Sequence, residues 1–503
     1  MNKEGSAMSS SAKISYILNS NDPPNELEAR SIYDLMITGL IQRTVLDAQI
    51  DSAALLPSQE ALIKERDALD CQISEYQACL SIIRHIPTEI LSLIFAFAVD
   101  IPRDSSSHKQ IIWTISHVCA RWRTITLSQP ALWAVVNIDL SGMGDRSRFR
   151  LGTQLRRSGK SPLNITFSCI PPGEPCEEAD LLNMLVDHCL RWNTFALSYY
   201  REGLHWNIQS IRGRLPVLRE LAISEEQRND IRPLDYFQVA PQLRHASVLM
   251  GASLKTVKLP FPQLLRYKGT DNWNGHIAVL RIASNLVDCA LDVEYITKTP
   301  GPFTRVWLPR LHRLAVTNSK FLDYLEAPGL QEFHFSGPTS AVVSFLQRMP
   351  CKLQKIFFHD CHSSNPPPDF PPLLRAAPTI TDMGVQFGDG VHARDLFSLL
   401  AVPAGGTDCE IPLVESLSIC TRRLRYNADL DLTDPFLDMV ESRWRTGALR
   451  SVSVSSEWRR LLARMETLRD QGLKITHKET YRLLLDMTPP HLRLEYGLRN
   501  TAI

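Results

Sequence analysis

A chain of 503 residues is long enough for two or three domains, and 44% hydrophobic with 22% charged residues is an ordinary globular balance that promises a sizeable core. Its 55 Lys and Arg against 54 Asp and Glu leave a formal charge of +1, which excludes a whole-protein field for recruiting nucleic acid or anionic lipid. No segment approaches the run of about 18 apolar residues that a membrane span needs, the start has no apolar run of signal-peptide length, and the eleven cysteines form no C-x-x-C pair. The expectation is a reducing compartment, cytoplasmic or nuclear, with free thiols and with neither nucleic acid nor membrane as a partner.

Residues 1–25 read as a disordered tail, rich in Ser and Asn and closed by Pro23 and Pro24. From 26 to 83 the pattern is helical and coiled-coil-like. Leu27, Ile32, Leu35, Leu40, Val45 and Leu46 suggest one helix, with Pro57 ending it or starting the next. Leu62, Leu69, Ile73, Tyr76, Leu80 and Ile83 then follow heptad spacing on a charged background. Fewer than four heptads leave two readings open, a coiled coil or a helical hairpin packed on its own chain.

Residues 84–136 begin with "RHIPTEILSLIFAFAV". Pro87 fits the first turn of a helix, where its missing N–H costs nothing, and Glu89 suits the positive end of the helix dipole. Ile90, Leu91, Ile94 and Phe95 make an apolar stripe that Leu93, Phe97 and Ala98 widen, so this helix must be covered on more than one side. After the polar "PRDSSSHKQ", a second helical pattern runs through Ile111, Ile112, Ile115, Val118, Cys119 and Trp122. "LSQPALW" closes the segment with Pro130, Leu132 and Trp133.

The order Ile-Pro-x-Glu-Ile-Leu-x-x-Ile-Phe, then Val-Cys-x-x-Trp-Arg, then Pro-x-Leu-Trp resembles the F-box, a helical module that docks on the Skp-family adaptor of cullin ubiquitin ligases. Ile86 stands where that family more often has Leu. The helical segment before it is also similar to that of F-box proteins numerous in mushroom-forming fungi. The resemblance implies an adaptor-binding surface that includes Pro87, Ile90, Leu91, Ile94, Phe95, Val118, Cys119, Trp122, Leu132 and Trp133.

From 160 to 480 a loose repeat of the form Pro-x-Leu-x-x-apolar-x-apolar recurs, as in "LPVLRELAIS" at 215–224 and "LPRLHRLAVT" at 308–317. Its copies lie 19 to 27 residues apart, then 34 and 35 for the last two, which are leucine-rich-repeat-like lengths. Each unit predicts one short strand that cannot bury its apolar face alone, so stacked units share a core. Leu218, Leu221, Ile223, Leu311, Leu314 and Val316 are expected inward. "LNITF" and "WNTFALSYY" are expected to open the array, and the helix stopped by Gly472 with the following "LKIT" to end it; residues 481–503 form a C-terminal tail. The fold class expected is α+β or α/β, with amino-terminal helices and an F-box followed by an irregular solenoid; the alternative is an ordinary α/β domain with Leu-rich strands.

Outward positions on successive strands include Ala315 and Thr317, His334 and Ser336, Phe357 and His359, and Gln386. Thr317, His334, Phe357, His359 and Gln386 are therefore candidate substrate-binding residues, an aromatic ring and two imidazoles among small residues. The competing expectation is that Phe357 packs under a neighbouring loop.

Signals for catalysis are weak. There is no Gly-x-Ser-x-Gly elbow and no phosphate-binding Gly-x-x-x-x-Gly-Lys, and "GMGDRS" lacks the third glycine of a dinucleotide fingerprint. In "FHDCH", with Cys351 upstream, His359 and Cys361 would share one strand face while His362 takes the other, which makes a closed metal site awkward. The basic clusters "CTRRLR" and "SRWR" lie near Asp429, Asp431 and Glu441 and read as solvated. The expected function is substrate recognition in a Skp/cullin/F-box type ubiquitin ligase, with no catalytic residue, metal or cofactor of its own and an unknown protein as target. The alternatives are a non-ligase F-box scaffold and, behind it, a hydrolase or metalloenzyme using the "FHDCH" region.

Overall fold

The computed structural model describes residues 15–17, 22–52, 56–100, 111–140, 147–169, 175–199, 204–225, 234–250, 257–293, 304–359, 369–387, 393–402, 414–421, 433–455 and 462–478. Cys361, His362, Asp429, Asp431, most of "GMGDRS" and "CTRRLR", and the 481–503 tail lie outside them. The chain divides into two compact units, residues 1–139 with 143–165, and 140–142 with 166–503. Among the described residues no single helix is long and apolar enough to cross a membrane.

The first unit opens with α1 (Glu26–Ser52) and α2 (Leu56–Cys79). A capping box starts α1: the Asn25 side chain accepts from the Glu28 N–H at 2.9 Å, and the Glu28 carboxylate accepts from the Asn25 N–H at 3.0 Å. The two helices form an antiparallel hairpin in which Arg43 pairs with Asp70 at 2.8 Å and Gln59 donates to the Ile50 carbonyl. On α1 the inward residues are Ile32, Gly39, Leu46 and Ile50, whereas Leu27, Leu35 and Val45 are exposed. A methyl group at Gly39 would sit 3.1 Å from Cγ1 of Ile73, so glycine is what lets the helices approach here. The heptad residues of α2 thus find their partner within the same chain.

Three further helices, α3 (Thr88–Asp100), α4 (Ile111–Val118) and α5 (Ala120–Leu127), enclose Leu91, Phe95, Ile112, Ile115, Ile125, Leu132 and Trp133. After β1 (Val135–Asp139), α6 (Ser147–Arg157) lays its Arg157 guanidinium 4.4 Å from the centroid of Trp133 and 5.2 Å from that of Trp113. This is a cation–π cover over the core.

The remaining strands are β2 (Leu163–Cys169), β3 (Trp192–Tyr199), β4 (Glu220–Glu225), β5 (His245–Met250), β6 (Arg266–Asp271), β7 (Asp288–Val293), β8 (Val306–Trp307), β9 (Arg313–Val316), β10 (Leu325–Glu326), β11 (Glu332–Phe335), β12 (Lys355–His359), β13 (Asp382–Phe387), β14 (Ser416–Thr421), β15 (Ser451–Ser455) and β16 (Lys474–Lys478). Thirteen of them join β1 in one large fourteen-stranded sheet whose order follows the chain, β8 and β10 pairing separately. From β3 to β16 every neighbouring pair is parallel. The fold is thus mixed α/β.

Register puts Leu221, Ala246, Tyr267, Cys289, Leu314, Phe333, Ile356, Met383, Leu417 and Val452 in one row, and Ile223, Val248, Gly269, Leu291, Val316, Phe335, Phe358, Val385, Ile419 and Val454 in the next. Both rows are buried, Leu218 and Leu311 with them. A helix Leu462–Asp470 ends at Gly472, whose φ of 103° is open to glycine at little cost, and β16 follows.

Candidate docking face

Helix α3 carries apolar residues on two sides because its sequence has them at both sets of helical steps. Leu91 and Phe95 are each 1% exposed and belong to the core, where Phe95 meets Trp122 at 4.8 Å between ring centroids. On the other side Ile90, Leu93, Ile94 and Phe97, at i, i+3, i+4 and i+7, are between 46% and 71% exposed. No described side of this chain covers that second stripe. Val118 and Leu127, on α4 and α5, are also exposed.

Local hydrogen bonds fix α3 against its neighbours. Pro87 opens its first turn, the Leu91 N–H donating to the Pro87 carbonyl at 3.0 Å. Gln129 donates to the Ser92 hydroxyl. Arg121 donates to the carbonyls of Arg84 at 2.5 Å and Ile86 at 2.7 Å, and buried Arg84 donates in turn to the Ala78 carbonyl at 2.7 Å. The backbone just before Pro87 is therefore held from both sides. Cys119 caps α5, its sulfur accepting from the Trp122 N–H at 3.3 Å.

These positions correct part of the sequence expectation. Leu91, Phe95, Leu132 and Trp133 are core side chains and offer no surface to a partner; Trp133 lies under Arg157 and donates its indole N–H to the Thr126 carbonyl at 2.8 Å. Cys119 and Trp122 are half-buried, and Pro87, Ile90, Ile94 and Val118 are exposed. Leu93 and Phe97 belong to the exposed stripe although sequence reasoning treated them only as widening the helix. The signal for them was present: an i, i+3, i+4, i+7 set distinct from the one that holds Leu91 and Phe95.

The expected recognition patch on the sheet is gathered but covered. Register pairs His334 with Phe357 and His359 with Gln386. The His334 and Phe357 rings stack at 4.3 Å, His334 Nε2 donates to Glu332 at 2.8 Å, and His359 Nδ1 meets the Gln386 side-chain oxygen at 3.3 Å. His334, Phe357, His359 and Gln386 are all buried, so these side chains contact one another rather than present a face. Thr317 is half-buried and accepts from the Val293 N–H at 2.7 Å, a structural role. Burial holds the His334 imidazole below its ordinary pKa, a shift that its bond to Glu332 opposes.

From β4 to β16 the first residue of each strand of the large sheet is charged or polar, a pattern not anticipated. Glu220 pairs with His245 at 2.9 Å, and Asp288 takes Arg266 at 2.9 Å and Arg313 at 2.6 Å. Lys355 and Asp382 continue the row. The hydrogen bond from His245 holds the Glu220 carboxyl below the usual range. Cross-strand charge pairs of this kind fix register.

For chemistry the described residues offer little. No group of three or more His, Cys, Asp or Glu among them is arranged to hold a metal ion. Burial pushes the Cys351 thiol up to about 11, away from reactivity. A search against protein-family models finds no match, and a search of curated proteins finds none either.

Proposed function

We propose that this chain is the substrate-recruiting subunit of a Skp/cullin/F-box type ubiquitin ligase, with residues 84–136 as its F-box. The exposed stripe Ile90, Leu93, Ile94 and Phe97 carries the reading, because a helix that keeps one apolar side in the core and another in water has the form of an interface awaiting a partner. Burying a side chain of this size is worth roughly 1.5–3 kcal/mol, so four anchors support a stable complex. The order of the "IPTEILSLIFAFAV", "VCARWR" and "PALW" segments supports the Skp-family adaptor as that partner.

The parallel strands at repeat spacing support reading the second unit as a leucine-rich-repeat-like solenoid that holds the target. The protein itself catalyses nothing. It raises the local concentration of a target lysine beside a ubiquitin-loaded enzyme on the cullin assembly, in the cytoplasm or nucleus.

Ile90→Asp with Phe97→Asp, made in the full chain, is expected to weaken capture of purified Skp-family adaptor by more than about 100-fold, since charges in an apolar interface lose its burial and add desolvation. Both side chains are exposed, so helical content and thermal unfolding stay as in the parent. Undiminished capture by the variant overturns the assignment. Ubiquitin transfer to a bound target separates a ligase subunit from a scaffold.

A further inference from the structure

The hairpin carries a second apolar seam, on α1, that stays exposed among the described residues. Tyr33, Ile37, Ile41 and Val45 follow one another at steps of four and are between 38% and 62% exposed. Beside them lies an open groove of about 480 Å³ whose walls are Ile41, Gln42, Val45 and Leu46 of α1 and Glu65, Ala68, Leu69 and Gln72 of α2. Ala68 is the small residue that leaves room in it. We propose that this seam pairs with the same seam of a second copy of the chain, α1 against α1 in antiparallel sense, so that the hairpins join as a four-helix assembly. The inference is independent of the ligase reading.

The pattern is its own complement. Positions 33, 37, 41 and 45 are symmetric about 39, so an antiparallel copy sets Tyr33 against Val45 and Ile37 against Ile41, and any residue i against 78−i. Each Tyr33 and Ile37 then enters the groove edge formed by the other copy's Ile41 and Val45. The ends are complementary in charge. Arg30, exposed and without an ion pair among the described residues, faces position 48 of the other copy; Asp51, also exposed, faces position 27. Helical side chains lean toward their own amino terminus, which brings Arg30 and Asp51 of opposite copies together at both ends of the seam. A parallel copy would instead bring like charges together. A closed two-fold interface uses one patch on both subunits, which is what a palindromic stripe supplies.

The test is the mass of the purified full chain in solution by sedimentation equilibrium or light scattering. The expected result is a dimer at about 10 µM, an ordinary affinity for a seam of this kind. Ile37→Asp is expected to weaken it on the order of 100-fold with helical content kept. Arg30→Asp and Asp51→Arg each weaken the dimer, and the two together in one chain restore it, a result only the antiparallel copy yields. A monomer at that concentration overturns the proposal, as does a dimer indifferent to Ile37→Asp or a charge exchange that fails to restore. Should Ile37→Asp lose helicity, the charge exchange alone decides.

Discussion

His276 shows how one side chain ties this fold to pH. It is fully buried, its Nε2 donates to the Asp292 carbonyl at 3.0 Å, and burial pushes its pKa down from 6.5 to about 4. An unfolded chain therefore takes up a proton at this site below about pH 6.5 while the folded one stays neutral, so stability is present above that value and is lost as pH falls toward 4. The loss amounts to about 1.4 kcal/mol per pH unit for this one group. His334 shifts the same way, also by burial. Urea midpoints measured between pH 7.5 and 5 are expected to fall, and His276→Gln, which keeps a donor but does not titrate, is expected to flatten the slope. At Leu314 and Arg313 the contrast is inward against outward on one strand. Leu314→Asp puts an unpaired carboxylate in the core and is expected to cost about 3–5 kcal/mol, whereas Arg313→Ala leaves Asp288 with Arg266 and costs about 1 kcal/mol. Thermal unfolding of the two variants checks the difference. Leu314 and Val316 were legible as core because the repeat places them there. His334, His359 and Gln386, expected on an exposed face, are buried, and so is Phe357, for which burial was the competing expectation, since β11 to β13 are buried on both faces. The contiguous "EFHF", "KIFFH" and "DMGVQF", rather than alternation, are the mark of that.

At the scale of elements, α3 and the α1–α2 hairpin differ in what sequence alone could settle. The apolar circumference of α3 says that two sides need cover but not which side the chain covers itself. Heptad spacing in α2 announces a seam, and its partner was hidden because α1 places Gly39 and Arg43 where apolar residues would have shown the same repeat. Gly39 carries a strong consequence. Gly39→Val would drive a branched side chain into Ile73, 3.1 Å from where its first carbon would sit, and is expected to destabilise the hairpin by about 1–3 kcal/mol. Loss of helical circular dichroism at lower temperature, with the sheet signal unchanged, is the measurement that checks it. Arg43 and Asp70 are both partly exposed, so their ion pair guides register more than it adds stability.

For the whole molecule, the second unit is an array of neighbours, in which each strand of the large sheet meets that sheet's preceding and following strands. Strands buried on both faces lie in its middle, so amide exchange is expected to be slowest from β9 to β13 and to quicken toward β3 and β16. Uniform protection along the array would contradict this. The repeat made the parallel strands legible, but the length of each connection did not say where the register lies; the charged first residues, Glu220 with His245 and Asp288 between two arginines, say it. The agreement of sheet order with chain order has a consequence for how the protein is made. Every strand finds its neighbour among residues synthesised only moments earlier, so little chain entropy is lost in each closure. Growth on the ribosome can proceed by addition at one edge, strand by strand, with β16 the last of the described strands to be laid down.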